Sequence, residues 1–97
     1  MNNYEVMFIV SSKLESASVK EVAERMKDIV TDNRGRVNEF KELGQKKLAY
    51  DINKESNGYY YLMTVSANIA TINELDRKSL INENILRHLI INLDKEK

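Results

Sequence analysis

The chain contains no cysteine, no proline and no tryptophan, only three glycines and one histidine, and no net charge across its 97 residues. Without cysteine it has no disulfide, no thiol nucleophile and none of the usual zinc clusters. No apolar run approaches the roughly 20 residues that span a bilayer. The opening Met1-Asn2-Asn3-Tyr4-Glu5 has neither the charged region nor the small-residue cleavage site of a secretory signal. A cytoplasmic protein with no membrane partner is the expectation. Fifteen Lys and Arg against fifteen Asp and Glu also argue against a domain that grips nucleic acid by bulk positive potential.

What is present suits one soluble domain over residues 1–97, ending in a short charged tail at 94–97. The chain is 42% hydrophobic and 31% charged, a balance typical of a packed chain and not of a disordered one. Tyr4 to Val10 is short, β-branched and aromatic, and stops at Ser11-Ser12, which predicts a buried strand. Ser18 with Glu21 fits a capping box at a helix start. Behind it Val19, Val22, Ala23, Met26, Ile29 and Val30 fall on one helical face. Gly35 is placed to close that helix in the left-handed conformation.

From Arg36 to Asn53 the alternation predicts one long strand, bent or bulged at Gly44. Val37, Glu39, Lys41 and Leu43 would share a face, with Asn38, Phe40 and Glu42 opposite; Leu48, Tyr50 and Ile52 alternate further on. Lys54 to Gly58 reads as the hairpin turn, with Asn57-Gly58 supplying positive backbone angles. Tyr59 to Ala67 returns, carrying Tyr59, Tyr61, Met63 and Val65 on one face and Tyr60, Leu62 and Thr64 on the other. Thr71 with Glu74 marks a second helix whose apolar edge is Ile69, Ile72 and Leu75, and Ile85 to Leu93 is the last strand. The β-α-β-β-α-β order is the ferredoxin-like split βαβ of the α+β class: a four-stranded antiparallel sheet of order 4-1-3-2 with two helices on one face.

Enzymatic motifs are missing from this sequence. His88 has a cation, Arg87, as neighbour and no nucleophile pattern around it, so it reads as a structural or surface histidine. Asp51 to Glu55 imitates the start of a calcium loop, but Ser56 and Leu62 stand where glycine and glutamate are needed. No glycine-rich phosphate loop is present. Tyr59-Tyr60-Tyr61 could stack bases, yet alternation sends Tyr60 opposite its neighbours, and cross-strand packing is the simpler use. Between Arg34 and Lys47 there are five cations (Arg34, Arg36, Lys41, Lys46, Lys47) and two anions (Glu39, Glu42). Most lie on the second strand, an edge in this topology, where charges hinder unwanted pairing and also offer a partner a docking line.

Several of these stretches match a known pattern in register: Tyr4-Glu5-Val6, Gly35-Arg36-Val37, Leu43-Gly44-Gln45-Lys46-Lys47-Leu48-Ala49-Tyr50 with Ile52 and Lys54, Gly58-Tyr59-Tyr60, and Asn82-Glu83-Asn84-Ile85-Leu86-Arg87. Over essentially its whole length the chain resembles the family of the sixth protein of the bacterial small ribosomal subunit, and the block around Gly44 is the most specific part. The resemblance implies the same ferredoxin-like fold and a structural, non-catalytic role with no cofactor, no metal and no small-molecule substrate. It implies binding to the central domain of small-subunit ribosomal RNA as a heterodimer with the eighteenth small-subunit protein, which would supply much of the positive charge. Partner contacts are expected at Lys41, Glu42, Lys46 and Lys47, and RNA contacts at Asn3, Tyr4 and Arg87. The chain departs from the family pattern at Asn2, Asn3 and Leu80, where basic residues are usual, and at Asp51, where proline is common. An alternative on the same fold is a regulatory domain that homodimerises through its sheet and binds a small molecule. An acyl-phosphate hydrolase would need a phosphate-cradling loop that is missing.

Overall fold

The computed structural model describes residues 2–52 and 54–94; the last three residues of the expected charged tail lie outside them. The elements run β1 (Asn2–Ser11), α1 (Ser16–Asp32), β2 (Arg36–Ile52), β3 (Glu55–Ala67), α2 (Ile69–Ile81) and β4 (Ile85–Asn92). All strand pairs are antiparallel and the sheet order is β2-β3-β1-β4, the expected ferredoxin-like arrangement with β2 and β4 at the edges.

Period-two alternation divides the sheet into a covered and an open face. Tyr4, Val6, Phe8 and Val10 of β1 and Tyr61, Met63, Val65 and Ala67 of β3 are buried against Val19, Val22, Met26 and Val30 of α1 and Ile72 and Leu75 of α2. Phe8 and Tyr61 stack at 5.2 Å between ring centroids, with Phe40 of β2 at 5.6 Å from Tyr61. On the other face Tyr60 and Leu62 of β3 are half-buried, and Leu89 and Ile91 of β4 are exposed.

The helix boundaries differ from the expected ones for local reasons. α1 begins at Ser16 after Glu15, which makes no side-chain cap, so Ser18 lies inside the first turn and Ser18–Glu21 is not a capping box. At the other end Arg34, at φ 71°, takes the left-handed position expected for Gly35. The Arg34 amide donates to Thr31 and the Gly35 amide to Val30, the paired bonds of a Schellman close. α2 is capped by Asn68, whose side chain accepts the Thr71 amide at 3.0 Å; Thr71 is the third residue of the helix and Glu74 lies beyond the cap. Ile69, expected on the apolar edge, is exposed at the helix start.

β2 is one strand of 17 residues, as predicted, but bulges reset its faces. Pairing shifts between Val37 and Glu39 and again between Glu42 and Gly44. Val37, Phe40 and Glu42 therefore point toward the helices, while Glu39 and Lys41 sit across from Thr64 and Leu62 on the open face. Simple alternation put Val37, Glu39 and Lys41 together; the extra residue at the first bulge separates them. Gly44 carries φ +89°, with open space where a β-carbon would stand, so its requirement is conformational.

The hairpin also turns earlier than expected. Ile52 pairs with Glu55, and Lys54 has φ 66°. Asn57 and Gly58 instead lie within β3, opposite Lys47 and Lys46. Gly58 is needed for close approach: a β-carbon there would collide with the Ile9 side chain.

Candidate functional site

Beyond Lys47 and Asn57 the β2–β3 hairpin extends as an arm past the end of β1, whose pairing with β3 reaches Ser11 opposite Gly58. Between Lys47 and Ile52 the chain advances five residues while β3 advances two, from Asn57 to Glu55. The surplus lets β2 curl over the end of the open face. Leu48, Ala49, Tyr50 and Ile52 line a small cleft of about 110 Å³ with Ile9, Tyr60 and Arg87. The Arg87 guanidinium carbon stands 5.4 Å from the centre of the Tyr50 ring. Tyr50 belongs to one edge strand and Arg87 to the other. In a flat sheet three strand spacings of about 4.8 Å, roughly 14 Å, would separate those edges.

The arm is fastened at its tip. Glu55, the first residue of β3, is 7% exposed. Its carboxylate accepts from the Ser11 hydroxyl at 2.8 and 3.0 Å, the Ser12 amide at 2.9 Å and the Ser12 hydroxyl at 3.2 Å. A buried carboxylate is tolerable because these donors replace its hydration.

The residues expected to meet a partner lie along β2. Lys41 is on the open face, 3.6 Å from Glu39 in an ion pair more than half exposed, a geometry that contributes little stability. Glu42 turns the other way and accepts the Tyr61 hydroxyl at 3.1 Å. Burial first, then this hydrogen bond and the Glu42 charge, push the Tyr61 phenol up to about 12. Lys46 and Lys47 are exposed where the arm begins. In the sheet, among the described residues, β2 has a strand neighbour on one side alone.

The residues expected to meet RNA are not brought together. Asn3 and Arg87 lie at opposite ends of the sheet, since Arg87 pairs with Ile9, six residues or about 20 Å along β1 from Asn3. The Asn3 amide donates to Asp94 at 2.7 Å, and its side-chain oxygen accepts from Ser66, which accepts in turn from Asn38. Tyr4 is 4% exposed and part of the core. Arg87 is exposed, and among the described residues it forms no ion pair. His88 faces the helices instead, with Nε2 2.7 Å from the Asp76 carboxylate on α2. No group of three His, Cys, Asp or Glu among the described residues could hold a metal ion.

Residues 3–92 match the family model described as Ribosomal protein S6. The chain belongs to the ribosomal protein S6 family. Among curated relatives it is similar to the small ribosomal subunit protein bS6 of Shouchella clausii (strain KSM-K16), 41% identical over 90 residues, covering 93% of this chain and 95% of that protein. Among solved structures it superposes on 30S ribosomal protein S6 from Thermotoga maritima with a TM-score of 0.89, covering 94% of this chain and 86% of that one. At 24% identity that likeness speaks for the fold. The S6 family is one of structural ribosomal proteins, so the chain is a non-catalytic protein of the small ribosomal subunit.

Sequence reasoning missed two members of the site, Tyr50 as the partner of Arg87 and Glu55 as the fastening of the arm. Glu55 sits among Lys54, Ser56 and Asn57, a polar run that reads as a solvated turn. Its burial depends on Ser11 and Ser12, more than 40 residues away.

Proposed function

We propose that the chain binds the central domain of small-subunit ribosomal RNA in cooperation with the neighbouring eighteenth small-subunit ribosomal protein. The observation that carries this reading is the outer edge of β2, which has no strand neighbour in the sheet among the described residues and carries Lys41, Glu42, Lys46 and Lys47. Membership of the S6 family supports it. Exposed backbone groups on an edge strand give a partner a template, and charges of both signs give it register.

RNA contact is assigned to Asn3 and Arg87, with Tyr4 anchoring the start of β1 from the core so that Asn3 is held at the surface. A domain of zero net charge releases few counterions on its own, so most of the phosphate neutralisation falls to the basic partner. Filter binding of a central-domain transcript should therefore show weak association with the chain alone and tight association with the heterodimer. Equal affinity without the partner would remove the cooperative part. Replacing Lys46 and Lys47 together by glutamate should weaken heterodimer formation at least tenfold in calorimetry, the scale of a like-charge clash at an interface. Unchanged affinity would place the interface elsewhere.

A further inference from the structure

We propose that Tyr50 and Arg87 form a single nucleotide-binding site, in which the ring of Tyr50 stacks one unpaired base and Arg87 meets its phosphate. The proposal deepens the assignment of Arg87 to RNA and rests on it.

Three observations converge on this pair. First, Tyr50 is 60% exposed, although its ring carries a large apolar area. A cation stands over that ring, the Arg87 guanidinium at 5.4 Å, and most of the residue is open to solvent. An aromatic face accepts any base, because every base has a π surface.

Second, Arg87 has no carboxylate partner among the described residues. It also forms a wall of a second, open cleft of about 320 Å³, lined with it by Met7, Ile9, His88 and Leu89. The guanidinium is thus held by an aromatic ring, which leaves its N–H donors available to an anion, and solvent reaches it from the cleft side. A guanidinium presents a fork of donors that fits two phosphate oxygens at once.

Third, the juxtaposition is built and not incidental. The two residues come from opposite edges of the sheet, and the arm that joins them requires the Gly58 close approach and the buried Glu55 clasp on Ser11 and Ser12. Leu48, at the base of the arm, is buried with Ile9 and Tyr60 around it. Tyr50 therefore arrives beside Arg87 on a fastened support, which lowers the ordering cost of binding. A fixed ring beside an unpaired cation matches an unpaired base with its phosphate; a duplex would offer no exposed base face to the ring.

The test uses the heterodimer and a central-domain transcript, with Tyr50→Leu, Tyr50→Phe and Arg87→Ala. Tyr50→Leu should weaken RNA binding about tenfold, the order expected from loss of one base–aromatic stack, and Tyr50→Phe should bind within about twofold of the parent. Arg87→Ala should weaken binding and reduce the slope of log affinity against log salt by about 0.7, one single-strand phosphate contact. Hexa-adenylate added to the chain alone should shift the Tyr50 ring protons in NMR, and not in the Arg87→Ala variant. If Tyr50→Leu binds RNA as the parent does while Arg87→Ala is weakened, the stacking site falls and Arg87 stands as an RNA contact. If neither variant changes RNA binding, the assignment of Arg87 falls as well. If Tyr50→Leu weakens heterodimer formation in calorimetry instead, the ring is a protein contact and the proposal is overturned.

Discussion

Tyr61 joins the core to the charged edge. It is 1% exposed, stacked on Phe8, and its hydroxyl donates to Glu42 on β2. The phenol is neutral in both folded and unfolded chains below about pH 10, so its ionisation leaves stability unchanged there. Above that, the unfolded phenol loses its proton while the folded one is held neutral to about 12. The unfolded state then binds fewer protons, and stability falls as pH rises from about 10 to about 12. Tyr61→Phe should flatten this fall in urea midpoints followed from about pH 9 to about 11.5. At neutral pH it should lose about 1 kcal/mol, the net worth of one hydrogen bond. An alkaline limb as steep in the variant would show that another group drives it.

The arm is the element that sets this molecule's surface. Its residues 48–51 have no ladder partner in β3 among the described residues, and their order depends on Leu48 packing and on the Glu55 clasp. Glu55→Ala removes the acceptor for three donors and should raise amide exchange across 48–52 at least tenfold, with β1 and β4 protected as before. Glu55→Gln retains an acceptor for the Ser12 amide and should restore most of the protection. Equal protection in the alanine variant would mean that apolar packing alone holds the arm.

At the scale of the whole molecule the zero net charge is a constraint on how RNA is bound. Among the described residues Lys46, Lys47 and Arg87 form no ion pair. Lys27, Lys41, Arg77 and Lys78 each sit beside a carboxylate, and Arg87 lies apart on β4. Such a surface binds through a few placed groups, so the chain alone should show a shallow salt dependence, with a log–log slope of about two or less. The heterodimer should show a much steeper one. A steep slope for the isolated chain in filter binding would contradict this division of labour.

The sequence by itself determined the elements, their order and the faces of α1, β1 and β3, because periods of 3.6 and two follow from backbone geometry wherever one face meets a core. Val19 to Val30 and the Tyr59–Tyr61 alternation were legible for that reason. The early hairpin turn, the reset faces of β2, the left-handed Arg34 and the Asn68 cap were not, since each trades a local preference for a contact made elsewhere. Asn57-Gly58 has the composition of a turn, yet Ile9 lies close above Gly58 and the chain runs straight through. Tyr50 and Arg87 stand 37 positions apart on opposite edges. Only the tertiary structure brings them together, because bulges and a buried carboxylate curl one edge of the sheet toward the other, and no local pattern encodes that bend.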